Sequence, residues 1–252
     1  MTIFLALLML MGFLIVHAIK LIRFYLILVE EDISFGKFVP AYFASTFVNL
    51  IIPFKLGEIF RIGLVKYLAK SLKTGFFSVL VDRFFDTLAI VFILFPYQLF
   101  IKRELSFPVL ILFAFVVIVL FTYIVFKPTY LFLNRYIIVK RRSRGSLAAL
   151  SALETVNEWY EYVKRLVMGR YGMLILFSFA AWACEMLVIA GFYKVMGYEF
   201  SVGDFGGYIE AVLTGGEYLL KNEYTAVSII IIFAAAVISC IASALHMRKR
   251  KV

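Results

Sequence analysis

Cysteine and histidine are almost absent from this chain of 252 residues, with two of each. Cys184 and Cys240 both lie in apolar runs and read as small packing residues, and His17 and His246 are far apart. No Cys/His set has the spacing of a metal site, so neither a metal nor a cofactor is expected. There is also no Gly-x-Ser-x-Gly elbow, phosphate-binding P-loop or dinucleotide fingerprint, so an enzyme is not expected. Acidic residues are scarce, 16 against 26 Lys and Arg. An excess of that size can mark nucleic-acid binding, but no soluble domain is visible to carry it, and no nucleic-acid partner is expected. The first apolar run begins at Thr2 without a basic flank or a small-residue cleavage site, so it reads as a retained span.

The chain is rich in apolar sequence. Hydrophobic residues make up 64% of it and the mean hydropathy is +0.98, well above a soluble domain, where roughly half the residues are apolar. The expected fold class is an all-α polytopic membrane protein, one membrane domain over residues 1–252. Runs at 3–19, 38–54, 84–101, 107–126, 171–193 and 224–245 are long enough to span or nearly so. About six transmembrane helices are expected, with one or two broken or re-entrant segments at 38–61 and 206–220. The weakest run is 38–54, 17 residues with Pro40 and Pro53 at its ends and Asn49 inside, which could equally form a re-entrant hairpin.

The net charge of +10 is unevenly spread. Residues 127–170 carry nine basic side chains against Glu154, Glu158 and Glu161, and the tail Arg248-Lys249-Arg250-Lys251 adds four more. Residues 196–223 carry five acids against Lys221 alone. The positive-inside rule then places 127–170 and the C-terminus in the cytoplasm and 196–223 outside, in a cytoplasmic (cell) membrane. Six spans would put the N-terminus inside and Glu30-Glu31-Asp32 outside; a re-entrant 38–54 would turn the N-terminus outward. Within 127–170, Leu147, Leu150, Leu153, Val156, Tyr160, Val163 and Val167 recur at three- and four-residue spacing and predict an amphipathic helix over 146–168. It reads as a connecting helix of a basic cytoplasmic loop, with recognition of anionic lipid as the sharper alternative.

Polar groups at membrane depth carry the functional reading. Asn49–Arg61 reads NLIIPFKLGEIFR, and Asp82-Arg83-Phe84-Phe85-Asp86 follows about twenty residues later. An ionisable side chain in the bilayer costs at least a few kcal/mol unless paired or wetted. Pro53 and Gly57 make a continuous helix through the same stretch unlikely to form, and broken backbone at that depth survives only in protein or beside a cavity. Asn49, Pro53, Lys55, Gly57, Glu58 and Arg61 are therefore candidate headgroup-binding residues. Asp82, Arg83, Asp86 and Glu185 are candidates for an intramembrane charge lock or relay, with Arg61 or Arg83 facing Asp82 or Asp86. His17, Lys20 and Arg23 share one sector of the first helix and read first as its interfacial end, with a face into the same cavity as the alternative. Gly206-Gly207 and Gly215-Gly216 are expected to break an external segment.

At these residues the chain resembles the transmembrane region of lysylphosphatidylglycerol synthases, the flippase-like family. Asn49, Pro53, Gly57, Glu58, Arg61, Asp82, Arg83 and Asp86 follow the family pattern in order, and WACEMLVIAGFYKVMGY, with Trp182, Glu185 and Gly197, is similar to its later Trp-x-x-Glu helix. The chain departs from the family at 203–220, GDFGGYIEAVLTGGEYLL, which lacks the proline usual in that loop. The resemblance implies an integral membrane protein that binds and translocates an anionic phospholipid, aminoacyl-phospholipid or lipid-linked glycan, with a synthase or glycosyltransferase as partner. A non-catalytic accessory subunit of an envelope-synthesis complex is the alternative. A membrane-embedded transferase comes third.

Overall fold

In the computed structural model, residues 2–52, 56–140 and 144–249 are described. Pro53 and Lys55, and Arg141 and Arg142 of the basic cluster, lie outside them. Among the described residues every regular element is helical: α1 (Thr2–Ile27), α2 (Phe35–Ile51), α3 (Leu56–Ala69), α4 (Leu72–Pro96), α5 (Phe107–Lys140), α6 (Arg144–Val167), α7 (Tyr171–Val195), α8 (Val202–Thr214) and α9 (Lys221–Lys249). Helix α4 runs on into a π-helical turn at Tyr97–Lys102.

Among the described residues, five helices are long and apolar enough to cross a membrane: Leu7–Ile27 of α1, α4 with its π-turn, Phe107–Val139 of α5, α7 and Lys221–Leu245 of α9. The sixth run of the sequence became α2, 17 residues or about 25 Å long. Its partner α3 has 14 residues and ends two residues before α4 begins. Helices α2 and α3 thus form a hairpin that enters and leaves on one face, the re-entrant form of 38–61. Gly57 makes its tip possible: a Cβ there would lie 2.2 Å from Asn49 Oδ1 and 2.5 Å from Asn49 Cα. No other residue lets the two backbones approach so closely.

The face from which the hairpin enters also carries α6. Arg170, at the start of α7, pairs with Glu30 and donates to the Leu26 carbonyl at 3.2 Å. The Tyr162 hydroxyl donates to Glu31 at 2.9 Å, and Thr74 donates to the same carboxylate at 3.2 Å. The acidic loop 30–32 therefore sits on the basic face, beside α6 and not across the membrane from it. This corrects the six-span topology: α1 begins on the opposite face and α9 ends on the basic face. Sequence alone left both forms open, because Glu30 and Glu31 look like an external acidic loop until Arg170 and Tyr162 are seen to engage them.

Helix α6 forms where its apolar spacing predicts. Tyr162, Leu166 and Val167 are buried, with Phe77 of α4 beside Trp159 and Tyr162. On the opposite face α8 opens with a reciprocal cap, in which the Ser201 hydroxyl accepts from Asp204 N–H and the Asp204 carboxylate accepts from Ser201 N–H. Gly206 and Gly207 do not break this segment. They lie inside α8, where Tyr97 and Tyr218 rings occupy the space a Cβ would need. The break falls at Gly215, the left-handed residue ending α8 (φ 75°).

Candidate functional site

Asp82 lies ten residues into α4, about 15 Å along its axis, close to the midplane of a hydrocarbon core about 30 Å thick. It is buried, and three guanidinium groups approach it. Arg23 of α1 donates from Nε to Asp82 Oδ1 at 2.9 Å, with Nη2 2.8 Å from the same oxygen. Nη1 of Arg23 donates to Asp86 Oδ1 and to Ser178 Oγ, both at 3.0 Å. Arg83 donates to Asp82 Oδ2 at 2.7 Å and to Asp86 Oδ2 at 3.3 Å. Arg61 Nη1 stands 3.6 Å from Asp82 Oδ2. The two aspartates thus lie one turn apart on α4 and share Arg23 and Arg83, the arrangement that lets paired carboxylates stay charged away from water.

The hairpin supplies the second part of the site. Ser45 and Thr46 both donate their hydroxyl protons to the Tyr42 carbonyl, at 2.9 and 2.8 Å. Their oxygens are thereby turned to accept from Arg61, at 3.2 Å from Nε and 3.3 Å from Nη2. The guanidinium also lies over the rings of Phe24 and Tyr42, 5.5 and 5.7 Å from their centres. Across the tip, Asn49 Nδ2 donates to Glu58 Oε1 at 2.7 Å. Glu58 Oε2 stands 3.5 Å from Arg61 Nη1, and Arg83 Nε is 3.6 Å from Glu58 Oε1. Neither approach is a hydrogen bond, and among the described residues Arg61 Nη1, Arg83 Nε, Glu58 Oε2 and Asn49 Oδ1 are buried without a hydrogen-bond partner. A desolvated donor or acceptor left unpaired costs roughly 1–3 kcal/mol, more when charged, so these four atoms are poised for a ligand.

A third group closes the other end. Lys20 pairs with Glu185 at 2.7 Å and lies over the Trp182 ring. The Tyr224 hydroxyl of α9 donates to Glu185 at 3.0 Å. Together these side chains surround a cavity of about 200 Å³, lined by all of α1, α2, α3, α4, α7, α8 and α9 through residues that include His17, Asn49, Arg61, Asp82, Tyr208 and Tyr224. Lys20, Arg23, Arg61 and Arg83 face Glu58, Asp82, Asp86 and Glu185 here, so the two signs balance.

The structure brings Asn49, Gly57, Glu58, Arg61, Asp82, Arg83, Asp86 and Glu185 into one region. Arg83 pairs with both aspartates, but all three lie on α4; between helices, Arg61 approaches Asp82 only loosely and the close partner is Arg23. Sequence reasoning misplaced His17, Lys20 and Arg23. They do not mark an interfacial end: Arg23 is as deeply buried as Asp82, and His17 and Lys20 line the cavity. The signal was their three-residue spacing, which puts all three on one sector of α1, facing the cavity and its α4 and α7 walls. The hydroxyls of Ser45, Thr46, Ser178 and Tyr224 carried no such signal, since polar residues of that kind are common in membrane helices. Among the described residues no group of His, Cys, Asp and Glu could hold a metal ion.

The fold and cavity together define a polytopic, all-α membrane protein with a charged cavity at bilayer depth. The chain belongs to the family of the lysylphosphatidylglycerol synthase TM region, whose family model matches residues 1–220. That family links it to lipid handling in a membrane. No curated protein and no solved structure matches the chain.

Proposed function

We propose that this protein takes a phospholipid headgroup into the cavity between the hairpin and α4, α7 and α9, and moves the lipid between leaflets. The observation that carries the reading is Arg61: a buried guanidinium at bilayer depth whose Nη1 makes no hydrogen bond and borders the cavity. A headgroup phosphate would accept from Arg61 and Arg83, whose planar donors match it. The free acceptors on Glu58 and Asn49 suit an amine or hydroxyl on the same headgroup. Aminoacyl-phospholipids and lipid-linked glycans both offer that combination, and the balanced charge of the cavity suits a headgroup carrying donors as well as phosphate. With the basic face in the cytoplasm of a cell membrane, the hairpin enters from inside and the N-terminus lies outside. A synthase or glycosyltransferase that makes the lipid is the natural partner.

The balance of four cations and four anions supports a second reading, in which the network is a purely structural lock of a non-catalytic accessory subunit. Arg61→Lys separates the two. It keeps the charge that a lock needs and loses the forked donor geometry that a phosphate needs. In vesicles reconstituted with the purified protein, Arg61→Lys is expected to stay folded yet lose most movement of a fluorescent phospholipid or lipid-linked sugar. Wild-type protein that moves neither would sink the translocation reading and leave the accessory subunit ahead.

A further inference from the structure

A second cavity lies elsewhere, a groove of about 990 Å³ on the basic face between the hairpin and the C-terminal half of α9. Lys37, Lys66 and Lys70 line it, with Tyr67, Leu68 and Ser243. All three lysines are exposed. Among the described residues none of their side chains forms an ion pair or a hydrogen bond; in the acidic loop before α2, Glu30 and Glu31 are taken by Arg170, Tyr162 and Thr74, and Asp32 is exposed.

Ordinary helix electrostatics explains part of this trio and fails for the rest. Lys66 sits in the last turn of α3, where a cation is favourable. Lys37 sits in the first turn of α2, where a cation opposes the helix dipole. That turn holds no acid, and Ser34 gives it no side-chain cap. Lys70 follows α3 in the left-handed conformation (φ 56°), a position glycine or asparagine normally takes. The groove therefore gathers three ammonium groups without an ion-pair partner among the described residues and a helix N-terminus without a side-chain cap. An anion would pair with the lysines and favour that helix end. Beside the charges the wall includes Leu68 and the ring of the largely exposed Tyr67, apolar surface of the kind a ligand with an acyl chain requires.

We infer that this groove is a second lipid site, one that holds the phosphate headgroup of an anionic phospholipid of the leaflet at the basic face. It is separate from the membrane-depth cavity and uses none of its residues, so its failure leaves the translocation reading standing.

Acetylation of individual lysines, read by peptide mass spectrometry on the full-length protein in detergent, tests it directly. Micelles doped with phosphatidylglycerol should slow modification of Lys37, Lys66 and Lys70 relative to micelles doped with phosphatidylcholine. Lys164, on α6 of the same face, and Lys194, at the opposite end of α7, should react at unchanged rates. Equal protection of Lys164 would reduce the groove to diffuse surface attraction, and equal protection by inorganic phosphate would make it a soluble-anion site; either overturns the proposal, as does no protection at all. The triple variant K37Q/K66Q/K70Q alters only exposed side chains. It should retain phosphatidylglycerol about a hundredfold more weakly in native mass spectrometry, since each lysine near an anionic headgroup contributes about a factor of five. Undiminished retention by a folded triple variant would also overturn the site.

Discussion

Helices α4 and α5 are neighbours of similar length, both apolar enough to span, and they solve the membrane in opposite ways. Helix α4 is 33% buried over its most apolar window and carries Asp82, Arg83 and Asp86 in its middle; α5 is 11% buried and carries no charge between Phe107 and Phe126. Lipid tails are as apolar as leucine, so hydrophobicity gives α5 no reason to enter the bundle. Helix α4 must be inside because its charges have no other acceptable environment. In this protein the polar residues, not the apolar ones, decide which helix is central. The hairpin follows the same rule, since Glu58 and Arg61 draw a broken element against α4.

The largest effect should come from removing the cation that α4 depends on most. Arg23→Leu leaves Asp82 and Asp86 short of a partner and should cost about 3–5 kcal/mol, seen as loss of folded protein by thermal denaturation in detergent. Adding Asp82→Leu should recover part of that loss, because Arg83 still serves Asp86. Strictly additive losses in this cycle would mean the two sites are uncoupled and would break the comparison. A smaller loss is expected at the hairpin tip. Gly57→Ala drives a methyl group into the Asn49 backbone and should cost about 1–3 kcal/mol, as overpacking does.

A third effect concerns α8, which ties down the far end of α4 through Lys102–Glu210 at 3.1 Å and Tyr97 on the Gly203 carbonyl at 3.3 Å. Partial burial raises the Asp204 carboxyl, but the hydroxyl and N–H of Ser201 and the hydroxyl of Tyr218 outweigh it and hold the group below the usual carboxylate range. A depressed folded-state value stabilises above the ordinary carboxylate pKa, and that contribution is lost as pH falls through the folded value. Asp204→Asn should therefore cost about 1 kcal/mol at neutral pH, and the gap to wild type should close in acid. A gap that stays constant down to strongly acidic pH would assign the loss to something other than ionisation. The smallest effect belongs to α5: Phe121, 65% exposed, should tolerate alanine within about 0.5 kcal/mol. A large loss there would show that α5 faces protein.

Much of this was legible beforehand because it follows from local chemistry. Long apolar runs must become helices in a bilayer, since every backbone group needs an internal partner. Asn49, Gly57, Glu58, Arg61, Asp82, Arg83, Asp86 and Glu185 stood out because charge and helix-breaking residues are expensive at that depth. The period of Leu150, Val156, Tyr160 and Val163 announced α6. Which charge meets which is a different kind of fact. Arg23 and Asp82 are 59 residues apart, and nothing in the spacing of either helix says that α1 packs on α4 with those turns level. The sidedness of Glu30 and Glu31 likewise depended on whether residues 35–51 crossed or turned back, and 17 residues permit both. Length and hydropathy set what each segment can do. Only packing, which lets Gly57 close on Asn49 and Arg170 reach Glu30, selected the hairpin, because those contacts join segments whose relative positions no local rule specifies.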